Sequence, residues 1–275
     1  MKIAAVQMVS TPSVERNLET ARRLVGRAAA DGATLVVLPE YFCFMGKTDR
    51  DKLGVAEVPG DGPIQRMLAE SAREHAVWLV GGTLPLSVDG APQGAGAADR
   101  VMNANLVFSP RGELAARYDK MHLFAYDNGR ERYDESRTLQ AGRTPVAFDA
   151  GGVRVGLSVC YDLRFPELYR ALARPPCDLL SVPSAFTYTT GAAHWEVLLR
   201  ARAIENQCYV VAAAQGGTHE NGRRTFGHSL VVDPWGEVVA CRSEEGEGVV
   251  IAEVSAERIA AVRRQLPALE HRLEF

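Results

Sequence analysis

The chain alternates two hydrophobic rhythms. Residues 3–8 and 34–38 are short apolar runs without charge, as strands buried on both faces are. Between them, Val14, Leu18, Ala21, Leu24 and Val25 recur at helical spacing, predicting a helix over 13–30 that Asp31 and Gly32 close. The next pair is a helix over 64–75 and a strand over 77–82, so the first third reads as strand–helix alternation of the α/β kind. Residues 87–100, SVDGAPQGAGAADR, lose all pattern and read as a surface loop between two strands. Its GxG neither follows a strand nor opens a helix, which argues against a nucleotide loop.

Further along, 103–108 and 113–118 flank Ser-Pro-Arg-Gly and predict a hairpin, and 119–142 reads as mostly irregular. Strands are then predicted over 153–159, 178–183, 209–214, 228–233, 237–241 and 248–254. A helix is expected from Pro166, where a missing N–H costs nothing, with Leu168 and Leu172 on its apolar face. Two more are expected over 194–206 and 256–265, the first packing through Trp195, Leu198, Leu199 and Ile204. No repeat, charged linker or composition break divides residues 1–275, so one domain is expected.

Composition narrows the function classes. An apolar fraction of 47% over 275 residues supports a substantial core without staples. The five cysteines are odd in number and lack CxxC or Cys/His spacing, which points away from a disulfide framework or zinc site and toward a reducing, cytoplasmic setting. A net charge of −3 offers no basic field for nucleic acid, and no apolar run reaches membrane-spanning length. The six histidines are scattered and no HExxH occurs, so neither a metal nor another cofactor is expected. A GxSxG elbow is also missing: Ser158 lies inside a predicted strand, and Ser229 follows Gly-His without the second glycine.

Three chemically capable side chains each follow an apolar strand-like run: Glu40, Lys120 and Cys160. Loops leaving strand C-termini form the binding crevice in open α/β sheets, so convergence is plausible. Taken singly, they are a turn carboxylate, a surface amine and a core thiol. Their surroundings, LVVLPEYF, YDKMHLF and GLSVCYDLRFPEL, resemble the nitrilase superfamily of carbon–nitrogen hydrolases, with a Glu–Lys–Cys set in this chain order. The resemblance runs over nearly the whole chain.

That resemblance implies a four-layer α-β-β-α sandwich, at least a homodimer, and amide hydrolysis through a cysteine thioester. Cys160 is the implied nucleophile, Glu40 its base, and Lys120 with the Tyr161 N–H the oxyanion site. Glu135, in YDESRTLQAG, matches the second glutamate of family members. The stretches PSAFTYTTGAAHWEVLLRARAIENQCYVVAAAQ and FGHSLVVDPWGEVVA are similar to the branch that hydrolyses deaminated glutathione to 2-oxoglutarate and Cys-Gly. An ω-amidase acting on 2-oxoglutaramate is the alternative, and an N-carbamoyl amidohydrolase the third. A small carboxylate-bearing amide needs a fixed cation, for which Arg164 is the candidate unless it only holds the turn through Glu167. Phe186, Thr187 and His194 are the further candidates for the substrate pocket. A scaffold without turnover would have lost a member of the Glu–Lys–Cys set, and all three are present.

Overall fold

The computed structural model describes residues 1–88 and 100–273. The Gly/Ala/Pro-rich loop read from the sequence falls mostly on 89–99, outside the described residues, but the strands on either side, Leu84–Ser87 and Val101–Phe108, do pair antiparallel. Two sheets organise the rest. The first runs Gly248–Glu253, Lys2–Gln7, Leu35–Val37, Trp78–Val80, Val101–Phe108, Leu84–Ser87, with Leu114–Asp119 and Leu139–Gln140 also paired to Val101–Phe108. The second runs Ala147–Asp149, Arg154–Leu157, Leu179–Ser181, Tyr209–Ala212, Leu230–Val232, Val238–Cys241. Each has a parallel triplet at its heart: Lys2–Gln7, Leu35–Val37 and Trp78–Val80 in one, Arg154–Leu157, Leu179–Ser181 and Tyr209–Ala212 in the other.

Side-chain alternation sets the layers, because successive residues of a strand point to opposite faces. Ile3, Ala5, Leu35 and Val37 pack with Val155, Leu157 and Val211 of the other sheet. Ala4, Val6 and Val36 face outward onto Leu24, Val25 and Leu68 of helices α1 (Val14–Ala30) and α2 (Pro63–Glu74). Helices α3 (Pro166–Leu172) and α4 (Tyr188–Asn206) cover the second sheet through Leu168, Leu172, Trp195 and Leu199. Helix α5 (Ala256–Gln265) follows the last strand and is capped by Ser255, whose hydroxyl accepts from Arg258 N–H. The architecture is the expected four-layer α-β-β-α sandwich. Among the described residues, no helix is long and apolar enough to cross a membrane.

Two departures from the sequence reading matter for the site. Helix α4 begins at Tyr188, not 194, because the Thr187 hydroxyl accepts from Thr190 N–H at 3.4 Å and caps it there. Gly191 allows this first turn to press on Phe226, whose Cβ would lie 2.3 Å from a Cβ at that position. Two Asn-Gly hairpins also went unread. Ala125–Asp127 pairs with Arg132–Asp134 inside the stretch expected to be irregular, and Gly216–Thr218 pairs with Arg224–Phe226 across Asn221 and Gly222. Their strands are only three residues long, too short for an alternating pattern to stand out.

Candidate active site

Cys160 opens the 3₁₀ turn Cys160–Arg164, three residues after the end of the strand Arg154–Leu157. Its backbone is left-handed, with φ 50°, and its N–H donates to Pro183 O at 2.9 Å. Such a conformation is costly for an L-residue and turns the side chain sharply off the strand, as a nucleophile elbow does. Asp162, fully buried two residues on, fixes the turn: one carboxylate oxygen accepts from Val159 N–H at 2.8 Å and the Tyr118 hydroxyl at 2.7 Å. The other accepts from His122 N–H at 3.0 Å and meets His122 Nδ1 at 2.7 Å.

Glu40 follows Leu38 and Pro39 at the end of the strand Leu35–Val37, in the corresponding parallel triplet of the first sheet. Its Oε1 accepts from Lys120 Nζ at 2.9 Å and from Asn103 Nδ2 at 2.9 Å. Lys120 is fully buried at the end of the strand Leu114–Asp119, and its Nζ donates also to Glu135 Oε2 at 2.7 Å. Glu135 is held in turn by the Phe124 N–H at 2.7 Å and the Tyr41 hydroxyl at 2.7 Å. One ammonium thus bridges two carboxylates out of water, beside the thiol. A cavity at this point is lined by Glu40, Glu135, Cys160, Tyr161 and Arg164, together with Phe186 and Thr187.

Charge states follow from burial and neighbours. Burial pushes the Cys160 thiol well above its ordinary range, Glu40 pushes it further, and Lys120 only partly opposes them. The resting group is therefore a thiol, and attack requires a base to take its proton. For Lys120, burial works against the charge, but Glu135 and Glu40 outweigh it and hold the ammonium above the usual lysine range. For Glu135, burial opposes ionisation, yet Lys120 and then Lys52 bring it below the usual carboxylate range.

Among the residues expected at the site, Glu40, Lys120, Glu135, Cys160, Tyr161, Arg164, Phe186 and Thr187 are brought together. His194 is not: the earlier start of α4 puts it on an exposed second turn, where Nδ1 meets Arg164 Nη1 at 3.2 Å. Arg164 lies against the Phe186 and Tyr161 rings and makes no hydrogen bond or ion pair with Glu167 among the described residues, and the turn is held by Asp162. Asn103, Tyr41, Asp162, Lys52 and Arg223 escaped the sequence reading. Only Asn103 carried a signal, a polar residue in a strand buried throughout. Among the described residues, no three His, Cys, Asp or Glu side chains are grouped to hold a metal ion.

The two-sheet sandwich places a buried acid–ammonium–acid chain at a cysteine elbow, an arrangement suited to hydrolysis of the nitrilase type. The chain belongs to the carbon–nitrogen hydrolase family, whose model matches residues 2–264. It is 43% identical over 274 residues to the deaminated glutathione amidase of Synechocystis sp., covering 98% of this chain and 97% of that one. It is 42% identical over 275 residues to the human protein of the same name, covering 98% and 81%. Among solved structures, the NitFhit protein of C. elegans superposes with a TM-score of 0.87 at 40% identity, covering 98% of this chain and 64% of the longer NitFhit chain.

Proposed function

We propose that this protein is a thiol amidase that hydrolyses deaminated glutathione to 2-oxoglutarate and Cys-Gly. The observation that carries the chemistry is the buried Glu40–Lys120–Glu135 chain beside Cys160. The substrate rests on the full-length similarity to amidases of that name. In the first half-reaction, Cys160 Sγ attacks the amide carbonyl as its proton passes to Glu40. Negative charge developing on the carbonyl oxygen meets Lys120 Nζ and the Tyr161 N–H, each such donor contributing roughly 3 kcal/mol to the barrier reduction. Glu40 then gives its proton to the departing nitrogen, the C–N bond breaks, and a thioester remains. In the second half, water adds to the thioester while Glu40 takes its proton, and the thiol leaves as the acid forms.

Glu135 keeps Lys120 oriented and neutralised between turnovers, so that its charge is directed at the oxyanion. Arg164 receives the 2-oxoglutaryl carboxylate, with Phe186 and Thr187 shaping the same wall.

The assembly we propose is a homodimer through α4. Val197 and Ile204 stand exposed on that helix at 67% and 47%, and Trp235 on the adjoining turn at 49%, an apolar surface that a second copy would cover. A cytoplasmic location is supported by five unpaired cysteines. Comparing kcat/KM for deaminated glutathione, 2-oxoglutaramate and an N-carbamoyl amino acid tests the substrate, since that ratio reports differential transition-state binding. Deaminated glutathione should be preferred. Equal or better turnover of 2-oxoglutaramate would transfer the assignment to an ω-amidase.

A further inference from the structure

The space around Cys160 is tight, about 10 Å³, room for about one water. It opens past Phe124, Glu135 and Arg223, which line both cavities, into an outer cleft of about 540 Å³. A thioester mechanism divides the substrate at this throat. The acyl half stays on the sulfur, while the amine half must depart before water can enter, and the outer cleft is the way out.

Two cations stand at that throat without an ion pair among the described residues. Lys52, on the 3₁₀ turn Asp51–Val55, lies over the Tyr41 ring at 5.3 Å. Arg223, on the Gly216–Thr218/Arg224–Phe226 hairpin, lies over the Tyr133 ring at 5.1 Å and donates through Nη2 to Ala185 O at 2.7 Å, while its buried Nε has no partner. Burial lowers the affinity of Lys52 for its proton; Glu135 and the exposed Asp49 oppose this, and repulsion from Arg223 adds to it. Of the cleft's other cations, Arg132 pairs with Asp127 and Arg224 with Glu245, while Lys47 and Arg130 are exposed to solvent and so need no partner. Lys52 and Arg223 make no ion pair among the described residues, and the nearby carboxylate of Glu135 is already committed to Lys120, Tyr41 and Phe124 N–H.

Like charges held together and partly out of water are unfavourable unless an anion joins them. A planar guanidinium beside an ammonium suits a carboxylate. We propose that Lys52 and Arg223 form the subsite for a carboxylate on the amine half of the substrate, which, resting on the reading above, is the terminal carboxylate of Cys-Gly. The pair would then set specificity for long amides over simple monoamides, whose leaving group is ammonia.

Steady-state kinetics on the purified enzyme can test this with deaminated glutathione and its C-terminal carboxamide. The unmodified enzyme should prefer the carboxylate by about tenfold to a hundredfold in kcat/KM, chiefly through KM, as charge-assisted bonds of this kind are worth. In Lys52→Met and in Arg223→Gln that preference should collapse toward unity, and Lys52→Arg should keep it. Since Arg223 also holds Ala185 O, Lys52→Met decides alone if the Arg223 variant does not fold. A preference that persists in Lys52→Met overturns the proposal. So does an equal fall in kcat for both substrates, which would make Lys52 a positioning residue acting through Glu135. If the unmodified enzyme favours 2-oxoglutaramate over deaminated glutathione, the parent reading falls and this subsite with it; a retained preference for deaminated glutathione with uncoupled Lys52 sinks the subsite only.

Discussion

At Cys160 the backbone and the side chain make opposing demands. A φ of 50° favours glycine, yet the proposed thioester chemistry needs a thiol. Cys160→Ala and Cys160→Gly should therefore both be inactive, but the glycine variant should unfold at higher urea, more stable than the alanine variant by about 1 kcal/mol. A slow amide should leave an acyl mass on the Cys160 peptide of the native enzyme, and activity surviving in Cys160→Ala would refute the thioester. Because burial and Glu40 raise the thiol, inactivation by iodoacetamide should climb steadily with pH from neutrality upward. A rate flat over that range would indicate a preformed thiolate. Glu135 accepts from Lys120, Tyr41 and the Phe124 N–H, and Gln can replace its shape but not its charge. Glu135→Gln should lower kcat by about a hundredfold or more with little change in KM, as loss of transition-state stabilisation does.

At the scale of elements, the strand-to-turn junctions carrying Glu40 and Cys160 were legible because apolar runs end abruptly at each, whereas Leu114–Asp119 carries Arg117 and Asp119 and left Lys120 to be picked out by the resemblance around YDKMHLF. What holds those junctions was not legible. Asp162 serves donors from 40 and 44 residues away, His122 and Tyr118, and no local spacing announces such a hub. The start of α4 was missed for a different reason: Thr and Gly at 187–191 read as loop, while in place the Thr187 cap and the close approach to Phe226 extend the helix by more than a turn. Asp162→Ala would leave the Tyr118 hydroxyl and the Val159 N–H buried without acceptors. It should cost about 3 kcal/mol or more in chemical denaturation and reduce activity by loosening the Cys160 turn. A variant as stable as the native protein would show that the turn is fixed by other contacts.

Across the whole molecule, the site exists only because the two halves of the chain are pinned together. Gln215 accepts from Ser10 N–H at 3.0 Å and donates to Glu40 O at 3.0 Å, so the second half positions the acid of the first. The alternating hydrophobic pattern implied buried strands but could not show which sheets face one another, and so gave no hint of this tie. His219 extends the same seam: Nδ1 meets Ser10 O at 2.9 Å, Nε2 meets Thr225 Oγ1 at 2.8 Å, and the ring is 3% exposed. Burial brings its pKa down to about 4 from an ordinary 6.5, with Arg223 adding to the effect and the Ser10 bond opposing it. Since the unfolded chain takes up this proton at higher pH than the folded one, the contribution of His219 is complete above an unfolded value of about 6.5 and is lost as pH falls toward about 4. Going from about pH 7 to about pH 5 should remove roughly 2 kcal/mol through this group. Urea unfolding of the native protein and of His219→Gln at the two pH values measures it, because carboxylate titration is common to both. The native protein should lose more stability than the variant by about that amount; equal losses would mean that His219 is not held neutral at the seam.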